Sequence, residues 1–138
     1  SFSSHAGSIY ALVSEDEYVL VDGVVDATIS RSGSFDLNIL GDAQKTDRLG
    51  SISEASLSIN ILTVQSGTPC GGANLFCGGD MTVIADGGTH TTTLEDNDFT
   101  SGIFGQSASD VELGGVINYE NETPGDGINA VVGSFIAD

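Results

Sequence analysis

Apolar and polar residues alternate along most of this chain, the pattern of β-strands with one buried face. Within residues 54–64, Leu57, Ile59 and Ile61 share one face, while serine and asparagine side chains occupy the other. The same period of two recurs over residues 34–41. The pattern therefore predicts an all-β protein with little helix.

Turn signals divide the chain into nine candidate strands. Arg31–Ser34 and Asp86–His90 predict tight hairpins, and Asn121–Gly127 predicts a longer loop. The segment Gly41–Ser53 lacks a strand pattern and predicts a long loop with one helical turn. The candidate strands are 7–13, 17–30, 34–41, 54–64, 79–86, 90–95, 98–105, 111–120 and 128–137. Short strands at this spacing indicate an antiparallel barrel or sandwich.

Composition supports one β domain over residues 1–138 and narrows the classes of partner. The chain has 138 residues, with 19 glycines and 2 prolines. Its net charge of −17 repels nucleic-acid phosphates and anionic lipid. Such a negative charge is typical of proteins that stay soluble in saline or extracellular settings. The alternative explanation is that the acidic side chains bind divalent cations. No run of 18 apolar residues is present, so we expect no transmembrane helix.

Two cysteines, Cys70 and Cys77, flank a short loop. Six residues separate them and glycines border them, which favours a disulfide over a zinc site that would need further ligands. A disulfide predicts an oxidising compartment. Leu75 and Phe76 lie inside the loop, where they could anchor a protein partner or fold back and plug the end of the barrel.

A glycine-rich motif between residues 102 and 115 carries a family resemblance. The stretch "GIFGQSASDVELGG" resembles the signature of the transferrin-binding protein B-like β-barrel superfamily. The proline of that signature is replaced here by Gln106 or Ser107, and Ser109 and Asp110 are two extra residues. The ending "AVVGSFIAD" is similar to the closing strand of those barrels, and Glu17–Ile39 is similar to their first hairpin. The matching motif residues are Gly102, Phe104, Gly105, Ala108, Glu112, Gly114 and Gly115.

The resemblance implies a single antiparallel eight-stranded barrel on a secreted or surface-exposed bacterial protein, in the periplasm, at the cell surface or outside the cell. In that family the barrel is a scaffold. Its members bind host iron proteins, haem-bearing proteins, haem or complement regulators through loops. The glycine motif maintains the barrel and is not itself a binding site. Independently of the family, glycine in a strand lets a small barrel bend or lets an aromatic ring come close.

Catalysis finds no support in the sequence. The chain has two histidines, His5 and His90, and lacks a nucleophile elbow or a His-Glu-x-x-His motif. We therefore expect no enzymatic activity. Haem binding would need an axial ligand, for which His90 is preferred over Met81 and Tyr119.

Oxygen-rich turns and a basic segment are the remaining candidates. Glu15 and Glu17, with Asp96 and Asp98, could bind calcium, or they form charged turns. Lys45 and Arg48 lie in the predicted long loop and could contact a partner, as could Leu75 and Phe76. The sequence thus predicts a binding module for a protein or haem. The alternative is a structural or accessory subunit of an extracellular assembly, with self-association through edge strands.

Overall fold

The chain folds as an all-β antiparallel sheet. The structure is a computed structural model that describes residues 2–5, 8–30, 33–64, 75–105, 111–121 and 127–137, and these contain strands and turns but no helix. The prediction of an all-β fold with little helix is confirmed. The strands are β1 (Phe2–His5), β2 (Ile9–Val13), β3 (Asp16–Ile29), β4 (Ser34–Thr46), β5 (Ile52–Val64), β6 (Leu75–Cys77), β7 (Gly79–Ala85), β8 (Gly88–Leu94), β9 (Phe99–Gly105), β10 (Val111–Glu120) and β11 (Ile128–Ala137).

The sheet curls into a half-barrel. Its strand path runs β6-β9-β10-β11-β2-β3-β4-β5-β7-β8, and β1 pairs with β3. The prediction of a closed eight-stranded barrel is wrong, because the path contains ten strands and ends at β6 and β8. Part of the difference arises at Gly78 and Gly79, whose φ angles are 68° and 124°. They redirect the chain so that β6 pairs with β9, whereas β7 pairs with β5 and β8.

The predicted long loop over Gly41–Ser53 is instead the end of a long hairpin. β4 continues to Thr46, and β5 begins at Ile52 in unbroken register with it. The turn between them is short because Asp47 Oδ1 accepts hydrogen bonds from the backbone N–H groups of Leu49 and Ser51, each at 2.9 Å. The sequence shows no strand pattern here because the inward positions of this part of β4 are Ala43 and Lys45, and not large apolar residues.

Two other hairpins follow their sequence signals. Asp86 and Gly87 form the turn between β7 and β8 with φ angles of 51° and 87°, as the Asp-Gly pair predicts. β3 and β4 flank the predicted turn at Arg31–Ser34, and the N–H of Ser30 donates to the carbonyl of Ser34 at 2.9 Å. These turns fix the register of the strands that they join.

The core contains a series of stacked phenylalanine rings. Phe35 on β4 stacks on Phe76 of β6, with ring centroids 4.8 Å apart. Phe99 lies 6.1 Å from Phe35 and 6.4 Å from Phe135, again between centroids. All four side chains are buried. The series joins β4, β6, β9 and β11, so the curled sheet packs one apolar face onto itself.

Candidate functional site

The two described basic side chains pair with acids at one end of the sheet. Lys45 Nζ lies 3.6 Å from Asp16 Oδ2 and 3.8 Å from Asp86 Oδ2. Arg48 Nη1 donates to Glu15 Oε2 at 3.1 Å. The sequence predicts Lys45 and Arg48 as partner contacts, and in the structure both form intramolecular ion pairs.

Lys45 also lies beside Tyr18, its cross-strand partner on β3. The pKa of Lys45 is raised above its ordinary value, first by the charge that Tyr18 carries when ionised and then by Asp16 and Asp86. Burial raises the pKa of Tyr18, and the charge of Lys45 partly opposes that rise. The four groups form a small network that links β3, β4 and the β7–β8 turn.

The predicted calcium ligands lie in or next to turns. Glu15 pairs with Arg48, and Glu17 on β3 raises the pKa of Tyr10 after the larger effect of burial. Asp98 Oδ2 accepts a hydrogen bond from the backbone N–H of Glu95 at 2.8 Å, which closes the β8–β9 turn. In the described part of the chain, no group of three or more His, Cys, Asp or Glu side chains could hold a metal ion. Calcium binding stays a prediction from sequence.

The three candidate haem ligands lie on or near β7 and β8. His90 on β8 is half-buried and pairs with Val83. Met81 is fully buried in the core. The Tyr119 hydroxyl lies 3.2 Å from Thr92 Oγ1, within hydrogen-bond distance. Of the three donors, His90 is the one whose side chain is neither enclosed in the core nor engaged in this hydrogen bond.

The predicted disulfide loop is partly described. Cys77 ends β6, whereas Cys70 lies outside the described residues, so their pairing stays a prediction. Phe76 is buried in the core and stacks on Phe35. Leu75 points to the opposite face of β6, is half-buried and lies opposite Gly102 of β9. The two apolar residues of the loop therefore serve different faces of the sheet.

The glycine motif likewise divides between the two faces. Gly115 faces inward, where a Cβ would lie 2.5 Å from Cζ of Phe135. Gly102 and Gly114 are cross-strand partners on the outer face. A Cβ at Gly102 would lie 3.1 Å from Cζ of Phe104, so that ring rests over the glycine backbone. Within the same motif, Ala108 lies outside the described residues.

The outward side of the motif forms an apolar depression, which we call the glycine-floored face. Gly102 and Gly114 form its floor, and its apolar walls are Leu75, Phe104, Val116 and Ile136. Phe104, Val116 and Ile136 are 59%, 55% and 61% exposed. The depression has a volume of about 370 Å³. A side chain from another molecule could enter it and bury these apolar groups.

On the outer side of β3, β4 and β5, rows of polar residues interrupt the exposed apolar residues. Val24 and Leu40 are exposed cross-strand partners on β3 and β4. The row on one side of them contains Asp26 paired with Asn38, which in turn pairs with Asn60. Asn60 Nδ2 donates to Asn38 Oδ1 at 2.9 Å and to Asp36 Oδ1 at 2.7 Å, so this row is a hydrogen-bonded polar network. On the glycine-floored face, the row of Leu75, Gly102, Gly114 and Ile136 has no polar side chain, whereas Thr100 and Ser134 flank Val116 in the next row.

No relative of this chain was found among known proteins. Protein-family models, curated proteins and solved structures give no significant match to this chain. The resemblance to transferrin-binding protein B-like barrels therefore stays a prediction from the motif residues. The described part of the chain has no helix long and apolar enough to cross a membrane.

Val116 and Ile136 were not identified from the sequence as candidate binding residues. Both lie at outward positions of β10 and β11, one residue away from inward core positions. The available signal was that Val116 on β10 and Val132 and Ile136 on β11 are apolar at outward positions, where a strand with one solvated face usually has polar residues. Apolar residues on the outward side indicate a surface that another molecule can cover.

Proposed function

We propose that this chain is a non-enzymatic binding module of a secreted or surface-exposed bacterial protein, and that it binds a protein partner. The observation that carries the proposal is the glycine-floored face, where three large apolar side chains are each more than half exposed around a glycine floor. Exposed apolar patches mark sites where a protein contacts other molecules, and aromatic side chains such as Phe104 are suited to anchor such contacts. The motif resemblance and the predicted disulfide support the extracellular or periplasmic location.

A structural or accessory subunit is the second candidate, and the same face could serve self-association. The net charge of the chain distinguishes self-association from binding to a different protein. Two copies of a chain with a net charge of −17 repel each other, so self-association through this face should strengthen as salt screens the charge. Binding to a different partner carries no such repulsion unless that partner is also strongly acidic.

Haem is the other ligand that the sequence suggests. Because Met81 is enclosed in the core and Tyr119 lies within hydrogen-bond distance of Thr92, the haem hypothesis rests on His90. A visible spectrum of the protein purified from its source decides it. A Soret band that is lost in His90→Ala would establish haem binding and would replace a protein partner as the main function.

The test of protein binding compares three forms purified from the source organism and sized by light scattering. Wild type should elute in a particle larger than a single copy of the protein. The double variant Phe104→Ser/Ile136→Ser should elute alone, whereas Leu40→Ser/Ile84→Ser, with comparable exposed residues on other strands, should behave as wild type. Circular dichroism checks that each variant folds. Equal particle sizes for all three folded forms would overturn the proposal.

A further inference from the structure

Carboxylates stand at both ends of the outward side of β10. Its outward positions are, in order, Glu112, Gly114, Val116, Asn118 and Glu120. Both glutamates are exposed. The two glutamates are eight steps apart along the strand, which separates them by roughly 27 Å at about 3.4 Å per residue. The apolar centre of the glycine-floored face thus has a negative charge at each end.

In the described part of the neighbouring strands, no basic residue balances these charges. The outward positions of the described parts of β9, β10 and β11 hold no lysine, arginine or histidine. The described lysine and arginine, Lys45 and Arg48, lie on β4 and in the β4–β5 turn, in ion pairs with other acids. The two glutamates are therefore available to a cationic partner.

We propose that the segment that binds the glycine-floored face is a basic amphipathic peptide segment of another protein, with an apolar centre and a cationic side chain near each end. This inference rests on the proposed function and specifies its partner. Apolar anchors supply the affinity, and the two glutamates fix the register of the segment along β10. The net charge of −17 also attracts such a segment over long distances and raises its association rate. A second copy of this chain fits poorly because of the same charge.

Two synthetic peptides of 18 residues provide the probe. Both carry the same leucine face, and one has lysines at both ends where the other has glutamines. An 18-residue helix is about 27 Å long, which matches the separation of the two glutamates. Binding to the intact protein is measured by fluorescence anisotropy in low and in physiological salt.

The lysine peptide should bind wild type at least tenfold more tightly than the glutamine peptide in low salt, and added salt should reduce the difference. Glu112→Lys/Glu120→Lys should abolish most of this preference. The control Asp42→Lys/Glu54→Lys changes the net charge by the same +4, from −17 to −13, at exposed residues of other strands and should keep the preference. If both charge variants lose it equally, the attraction is general and the local pairing is wrong.

The remaining outcomes separate this inference from the proposed function. If both peptides bind equally and Phe104→Ser/Ile136→Ser abolishes binding, the charge inference is overturned and the proposed function stands. If the lysine peptide binds this variant as tightly as wild type, the face is not the binding site and both proposals fail. Absence of binding by either peptide overturns the basic amphipathic partner.

Discussion

The ring of Phe135 occupies the space where a side chain at Gly115 would stand. The two residues are cross-strand partners on β11 and β10, and a Cβ at Gly115 would lie 2.5 Å from Cζ of the ring. Gly115 is therefore needed in the middle of a strand because the core places an aromatic ring against its backbone. This relationship explains one glycine of the motif, whereas Gly114 beside it faces the other side of the sheet.

Gly115→Ala should lower the free energy of unfolding by between about 1 and 3 kcal/mol, because the new methyl group overpacks the core against Phe135. Chemical denaturation measures the change. Gly114→Ala is the matched control, since its Cβ would make an ordinary contact, 3.5 Å from the Phe104 ring. Equal losses in both variants would show that strand position, and not the Phe135 contact, determines the cost.

Thr63 holds the bend between β6 and β7. Its buried hydroxyl donates to the carbonyl of Gly78 at 2.7 Å. Thr63→Val keeps the shape but leaves that carbonyl without this donor, so we expect a loss of about 1 to 3 kcal/mol in the free energy of unfolding. Thr91→Val, on the exposed side of β8, should change it by less than about 0.5 kcal/mol. If Thr63→Val lowers the free energy of unfolding no more than this control, the Thr63 hydroxyl does not stabilise the bend.

Alkaline pH should weaken the network around Lys45. The pKa values of Lys45 and Tyr18 are both raised in the folded state, so their contribution is complete below the unfolded values and is lost as pH rises through the folded ones. Thermal melts from pH 8 upwards should therefore show a falling midpoint above about pH 10. Tyr18→Phe, which removes the group whose pKa burial raises, should show a shallower alkaline decline, and Lys45→Met should melt lower than wild type near neutral pH because it loses its ion pairs.

Arg48→Met is the control for this pH dependence. It removes an ion pair with Glu15 in which both side chains are largely exposed, at 71% and 68%. Exposed pairs contribute little because water and salt screen them. The alkaline decline of this variant should match that of wild type. If the alkaline decline is as shallow in Arg48→Met as in Tyr18→Phe, the network around Lys45 is not the cause of the decline.

The predicted disulfide has two independent readouts. If Cys70 and Cys77 are bonded, the intact mass of the fresh protein should be about two hydrogens below that of the reduced form. Cys70→Ser/Cys77→Ser should then lower the free energy of unfolding by about 2 to 3 kcal/mol, as expected for closing a loop of about eight residues. Two free thiols in protein isolated from its source would remove the support for an oxidising compartment.

The strands that the sequence predicted well are those with large apolar residues at alternate positions. β10 and β11 span the predicted ranges 111–120 and 128–137 without change. The end of the β4–β5 hairpin was missed because its inward residues, Ala43 and Lys45, do not form an apolar pattern. β6 was missed because three residues are too few to show a period.

Closure and surface chemistry depend on contacts between strands that are distant in sequence. The positive φ angles of Gly78 and Gly79 redirect a strand, and a pair of glycines alone does not indicate which neighbours each side takes. The glycine-floored face combines Leu75, Val116 and Ile136 from three strands, so its existence depends on their register. The motif residue Phe104 was identified, but its exposure on the outer face could not be read from the sequence.

The most direct test of the glycine-floored face is site-specific photocrosslinking in the source organism. A photoreactive phenylalanine derivative replaces Val116 on the face or, as the control, Leu40 on β4, which has similar exposure at 50% against 55%. We predict a crosslinked product with a second protein from position 116 and none from position 40. Equal crosslinking from both positions, or none from position 116 in folded protein, would contradict binding through this face.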